Sequence, residues 1–212
     1  LQNMLCRLKR RIPISHVLRY GIQLSDIFSQ IHAAGWVWRD CKPINILVTP
    51  EGTLRPVDFE GACPVDQPDP MLWGTPGFSP PEGRDHNPQT GAHYDLYALG
   101  SMLYLLLTGI VPEATGPLPI EKLRPHVPSE VRRLVTRLLS HSPERRPCAE
   151  RVARGLKAAL PLYERREVAR HSVSVQLETG RDALKGSDRR RARKPSRRRS
   201  QTHISSAAAA AG

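Results

Sequence analysis

Trp38-Arg39-Asp40-Cys41-Lys42-Pro43-Ile44-Asn45-Ile46-Leu47-Val48, followed by Val57-Asp58-Phe59-Glu60-Gly61, is the stretch that decides how this chain folds. Between the two segments, Ile46 to Val48 and Leu54 to Val57 are short apolar runs, and Thr49-Pro50-Glu51-Gly52 is turn chemistry, so the region reads as a β-hairpin. A hairpin brings its open ends side by side. Asn45 enters the first strand and Asp58 leaves the second, so both are expected to face one point, with Asp40 just outside it. Hard oxygen donors clustered in that way are what a magnesium ion requires. Taken singly, each residue has a plainer role, because a loop aspartate is commonly a cap and an asparagine before a strand a turn former.

Taken together the residues carry a resemblance. Arg39-Asp40-Cys41-Lys42-Pro43-Ile44-Asn45 resembles the catalytic loop of protein kinases, His-Arg-Asp-x-Lys-x-x-Asn, and Asp58-Phe59 resembles their Asp-Phe-Gly metal motif. The resemblance implies a mainly α (α+β) fold, a kinase-like C-lobe in which a short hairpin carries both motifs. It implies transfer of the ATP γ-phosphate to a hydroxyl, a reaction that asks a protein chiefly for positioning and charge neutralisation. The roles it assigns are proton acceptance for Asp40, contact with the transferring phosphate for Lys42, and Mg2+ and nucleotide binding for Asn45 and Asp58. Lys42, and Thr75 in Gly74-Thr75-Pro76-Gly77-Phe78, resemble the serine/threonine branch and its substrate loop, so a protein or peptide Ser/Thr hydroxyl is the expected acceptor.

The flanking chain follows the same pattern. Ser15 is expected to cap a helix whose apolar positions Val17, Tyr20, Leu24, Ile27, Phe28 and Ile31 recur at helical spacing, with Gly35 as its stop. Tyr94 to Thr108 is apolar on nearly every side and ends at Gly109, which predicts a helix buried all round yet too short to span a bilayer. Within it, Asp95 to Gly100 resembles the family's central-helix motif, which implies that Asp95 braces the catalytic loop. Pro80-Pro81-Glu82 resembles the Ala-Pro-Glu motif, and Ser142 to Pro147 resembles the late segment whose arginine pairs with that glutamate, so Glu82 and Arg146 are expected to meet. Ser129 to Leu139 and Ala149 to Leu160 read as two further amphipathic helices.

Other family elements have no counterpart in the roughly forty residues before Asp40. These residues hold no glycine-rich loop, no Lys in a Val-Ala-x-Lys context and no regulatory-helix glutamate. The expectation is therefore a missing N-lobe, supplied in cis by a longer protein or in trans by a partner chain, and weak ATP binding by the chain alone. Trp38 stands where the family has histidine; it can pack there but offers no acceptor. Glu60 replaces a permissive glycine and adds negative charge beside the metal motif, which should hinder any flip of Asp58. Asp-Phe-Glu-Gly-Ala with Gly-Thr-Pro-Gly downstream is similar to the kinase domains of class III and IV lanthipeptide synthetases. Ala62 to Trp73 contains no Ser, Thr or Tyr, so Asp66 or Asp69 is expected to pair with Arg39 in place of a phosphorylated residue.

Composition divides the chain further. Of the formal net charge of +12, residues 181–212 carry ten Lys or Arg against two Asp, a net +8, which leaves +4 for everything before. The expected organisation is a kinase C-lobe over 1–165, a linker over 166–180 and a disordered basic tail over 181–212 that binds acidic partners nonspecifically. Cys6, Cys41, Cys63 and Cys148 lack Cys-x-x-Cys spacing, so neither zinc nor a disulfide framework is expected. No secretory signal or membrane helix is visible, which suits a cytoplasmic protein. Two alternatives to an active kinase lobe stay open. One is a pseudokinase-type binding scaffold, suggested by Trp38 and Glu60; the other is a nucleic-acid or membrane adaptor working through the basic tail.

Overall fold

The computed structural model describes residues 1–7, 12–67, 71, 73–84, 91–113 and 116–165. The linker and basic tail expected over 166–212 lie outside the described residues, as does Asp69. Leu1–Glu167 forms one compact unit.

Helix α1 (Gln2–Arg7) leads to α2 (Ile14–Ala33), whose buried face is the run of apolar residues spaced at helical intervals, Val17, Leu18, Leu24 and Phe28 among them. The expected cap is displaced. Pro13 occupies the N-cap position, with its carbonyl accepting the Val17 N–H at 3.1 Å, and Ser15 is a buried residue of the first turn. Proline suits this place because its fixed φ starts the chain toward a helix and its missing N–H has no helical partner to lose. At the far end Gly35 takes the left-handed conformation (φ 77°) just past Ala34, which turns the chain into β1 (Trp36–Val37).

The hairpin is present as β2 (Ile46–Val48) paired antiparallel with β3 (Leu54–Pro56), Leu47 opposite Arg55. A second two-stranded sheet pairs β1 with β4 (Cys63–Pro64), Val37 opposite Cys63. Together the two ribbons frame the loop from Trp38 to Asn45.

Helix α3 (His93–Thr108) is buried from Tyr94 to Thr108 and closes on Gly109 (φ 80°), whose N–H donates to the Leu105 carbonyl at 2.7 Å. It is the centre of a core to which α2, α5 (Ser129–Leu138) and a last helix, α6 over residues 149–165, each contribute their apolar faces. The short α4 (Ile120–Leu123) inserts Ile120 between them. Gly100 permits a close approach of α3 to α5: a Cβ there would lie 2.7 Å from the Leu138 Cβ and 3.2 Å from its backbone carbon. The described residues are thus mainly helical with two small ribbons, and no helix among them is long and apolar enough to cross a membrane.

Candidate active site

Asp95 sits on the first turn of α3, fully buried, and faces the loop that follows β1. Its Oδ2 accepts the Trp38 N–H at 2.9 Å and its Oδ1 accepts the Arg39 N–H at 2.8 Å. His32, near the end of α2, reaches the same Oδ2 with its Nε2 at 2.9 Å. Bonds from a carboxylate to backbone N–H groups are charge-assisted and hold the loop to the core at a defined point. At that point Arg39 adopts a left-handed backbone (φ 67°), a conformation that costs a side chain about 1–2 kcal/mol unless its surroundings impose it. The Arg39 side chain runs inward, buried, where its Nε donates to the Gly61 carbonyl and its guanidinium lies 6.0 Å from the Trp73 ring centre. Asp66 is exposed and makes no ion pair with Arg39, so among the described residues the pairing expected for it does not form.

The next residues form a tight polar cluster. Lys42 Nζ lies 2.8 Å from Asp40 Oδ2, and Asn45 Nδ2 donates to the same oxygen at 3.0 Å and to the Asp40 carbonyl at 3.0 Å. On the other carboxylate oxygen, Thr75 Oγ1 donates to Asp40 Oδ1 at 3.0 Å, while Lys42 Nζ donates to Thr75 Oγ1 at 3.1 Å. Asp40 therefore stands with both oxygens engaged and aimed. Asn45 is buried on a 3-10 turn, Pro43–Asn45, that feeds directly into β2. Its amide nitrogen is committed to Asp40, and its Oδ1, an acceptor with no hydrogen bond among the described residues, is open to ligate a cation.

Asp58 is positioned through its backbone. Val57 N–H donates to the Asn45 carbonyl at 2.9 Å, one step past the end of β3, so the hairpin keeps Asp58 beside Asn45. Asp58 is the second left-handed residue that is not glycine (φ 65°), and its carbonyl accepts the Trp38 indole N–H at 2.8 Å. Asp40, Asn45, Lys42 and Thr75 are joined by hydrogen bonds and an ion pair, whereas the Asp58 carboxylate is exposed and makes no hydrogen bond among the described residues.

Trp38 itself is fully buried, stacked against Phe59 with ring centres 5.1 Å apart and tilted over Phe28 at 6.1 Å. Sequence reasoning assigned Trp38 packing only. The donor function of its indole was legible in its side-chain inventory, whereas the roles of His32 and the Gly61 carbonyl depend on helices and turns whose mutual placement no local spacing reveals. Glu82 meets Arg146 in a two-pronged contact, with Oε2 accepting from Nη2 at 2.8 Å and Oε1 accepting from Nη1. Arg146 is buried, donates further to the Ser140 carbonyl at 2.8 Å and the His93 carbonyl at 2.9 Å, and stacks 5.1 Å from the Tyr97 ring centre. Next to Asp40, the buried Cys41 thiol is pushed well above its ordinary range by burial first and by the negative charges of Asp95 and Asp40 after that, so it is an inert packing group.

A family model described as protein kinase domain matches residues 2–155. Among curated relatives, the serine/threonine-protein kinase PkaA of Streptomyces coelicolor is 36% identical over 152 residues, covering 64% of this chain and 28% of the relative. The CBL-interacting protein kinase 4 of Oryza sativa subsp. japonica is 33% identical over 159 residues, 68% of this chain and 35% of the relative. The serine/threonine-protein kinase PkaB of Streptomyces coelicolor is 31% identical over 176 residues, 73% of this chain and 42% of the relative. The chain thus spans well under half the length of these relatives.

Proposed function

We propose, on the premise that this chain belongs to the protein kinase family, that it is the catalytic C-lobe of a serine/threonine kinase that moves the ATP γ-phosphate onto a Ser or Thr hydroxyl of a protein or peptide. The observation that carries the proposal is the Asp40 carboxylate held from three sides by Lys42, Asn45 and Thr75. The Thr75 hydroxyl donates to Asp40 Oδ1 at 3.0 Å, the same contact an incoming substrate hydroxyl would make, and proton acceptance at that oxygen follows. Lys42, between Asp40 and Thr75, brings positive charge to the place where a transferring phosphoryl group would pass.

The donor set suits Mg2+ bound with nucleotide. Asn45 has a free Oδ1 and Asp58 an exposed carboxylate without a competing hydrogen bond, and magnesium takes only one or two protein oxygens, completing its shell from phosphates and water. When bound, the ion would neutralise charge on the phosphate oxygens. Asn45 and Asp58 would hold it, and the Trp38 indole would keep the Asp58 backbone turned toward it. The remainder of the nucleotide site, an N-lobe, would come from elsewhere in a longer protein or from a partner. A kinase domain that draws on the cellular ATP pool would face the cytoplasm.

The scaffold reading draws support from Trp38 and Glu60, which depart from the catalytic pattern. Phosphate transfer from labelled ATP to a Ser/Thr peptide by the full-length gene product separates the two. A kinase transfers label and the Asp40→Asn variant does not; a scaffold shows no difference between them.

A further inference from the structure

Away from the Asp40 cluster, a groove of about 760 Å³ opens between Gly116-Pro117, the end of α5 and the turn after it. It runs on into a second hollow of about 250 Å³ beside α4, with Pro117, Thr136 and Leu139 lining both. Its floor is apolar, from Pro117 and Leu139, and Leu118 stands 58% exposed at the lip. Its rim is basic at one end only. Arg137, His141 and Arg145 are all exposed there, and neither arginine forms an ion pair among the described residues. The far end is balanced in charge, with Glu121 lining it and paired with Arg132 at 3.7 Å. Glu144, next to Arg145, is an exposed acid of the turn after α5.

We propose that this groove docks an extended segment of a partner protein that carries acidic residues at one end and an apolar side chain at its middle. The acids would sit against Arg137 and Arg145, and the apolar side chain on Pro117 and Leu139. The chain's own tail has the wrong sign for that site, with ten Lys or Arg against two Asp over residues 181–212. An occupant would also lie on Ser140, whose carbonyl accepts both Arg146 Nε at 3.0 Å and Nη2 at 2.8 Å, and so would abut the Glu82–Arg146 contact. Desolvated apolar anchors set affinity in grooves of this kind and rim charges set orientation and salt dependence.

The proposal goes beyond the catalytic reading and needs neither ATP nor Asp40. Fluorescence anisotropy of a labelled dodecapeptide, with Asp and Glu in its first half, Leu at its centre and neutral residues after, tests it on the full chain. Saturable binding is expected, weakened at least tenfold by the double variant Arg137→Glu, Arg145→Glu. Thr136→Trp, which fills the groove without changing its charge, is expected to weaken it to a similar extent, and a Leu-to-Ser change in the peptide at least threefold. Both protein variants change exposed side chains, and unchanged melting curves would show the fold intact. Undiminished binding by either variant overturns the proposal, because the basic tail or another surface then holds the peptide. Indifference to the central Leu overturns it too, because charge alone then accounts for the affinity.

Discussion

Helix α3 is surrounded by apolar side chains that recur along its whole length, whereas the loop from Trp38 to Asn45 has no internal regularity and takes its shape from polar contacts with residues far away in sequence. The helix would be a helix in many surroundings, since burial of one apolar side chain after another is non-directional and tolerates small adjustments. The loop would not be this loop without Asp95, Trp38 and Thr75, because hydrogen bonds act only at correct distance and angle. Two residues that are not glycine, Arg39 and Asp58, hold left-handed backbone conformations, and each is tied by a bond to a buried partner. The stable part of the molecule thus holds an unfavourable backbone in place where the chemistry is proposed to occur.

The largest effect expected of any substitution is on the loop's chemistry with little effect on its scaffold. Asp40→Asn keeps the side chain's shape and its contacts with Asn45 but removes the proton acceptor, so phosphate transfer should fall about 10²–10⁴-fold. The melting temperature should stay near that of the wild type. A steady-state assay beside a thermal melt checks both, and a variant that unfolds as it loses activity would erase the contrast drawn between loop and helix.

Second in size is the Glu82–Arg146 contact, which joins the segment after Thr75 to the turn preceding α6. The arginine is fully buried while Glu82 keeps about a quarter of its side-chain exposure, so part of the charge left behind by Arg146→Met can turn to water. The expected loss is about 3 kcal/mol, the low end of the range for breaking such a pair on one side. A double-mutant cycle with Glu82→Gln, followed by denaturant unfolding, should return a coupling well above zero; a coupling of zero would mean that the two side chains sit together without holding the fold.

Asp95→Asn probes the joint between the two regions. An amide offers one acceptor where the carboxylate offered two, so one of the backbone N–H groups of Trp38 and Arg39 must lose its partner, at a cost of about 1–3 kcal/mol. Because the loss falls on the loop's backbone, hydrogen exchange at Trp38 and Arg39 should quicken while the amides in the middle of α3 stay protected. Equal acceleration in both places would show that loop and helix open as one unit.

How much of this was legible beforehand follows the same division. The burial of Tyr94 to Thr108, the hairpin around Asn45 and the helices after Ser129 could be read because apolar spacing and turn residues are local signals. The start of α2 was misplaced by two residues, since Ser15 and Pro13 both suit a helix entrance and only the packing of Ile14 and Ser15 decides between them. In the candidate site, the family pattern brought Asp40, Lys42, Asn45 and Thr75 to attention. It could not tell that Asn45 gives its nitrogen rather than its oxygen to Asp40, or that Trp38 donates to the Asp58 carbonyl. Such choices depend on which atoms face each other after folding. His32 had no signal at all, because a histidine near a helix end is ordinary until Asp95 is seen beneath it.

The smallest expected effect concerns Asp66, one of the two acids, with Asp69, that charge reasoning from sequence offered as a partner for Arg39. Arg39 is anchored at several other points: its Nε donates to the Gly61 carbonyl, its plane lies near Trp73, and its backbone is held by Asp95. Asp66 is exposed in the turn after β4, and a solvated carboxylate there gains little from a distant guanidinium because water screens it. Asp66→Asn should therefore shift stability by less than about 0.5 kcal/mol and leave phosphate transfer unchanged. A tenfold loss of transfer would show that Asp66 itself stands in for a phosphorylated residue, and would mean that the loop's shape depends on long-range charge as well as on the contacts that hold Arg39.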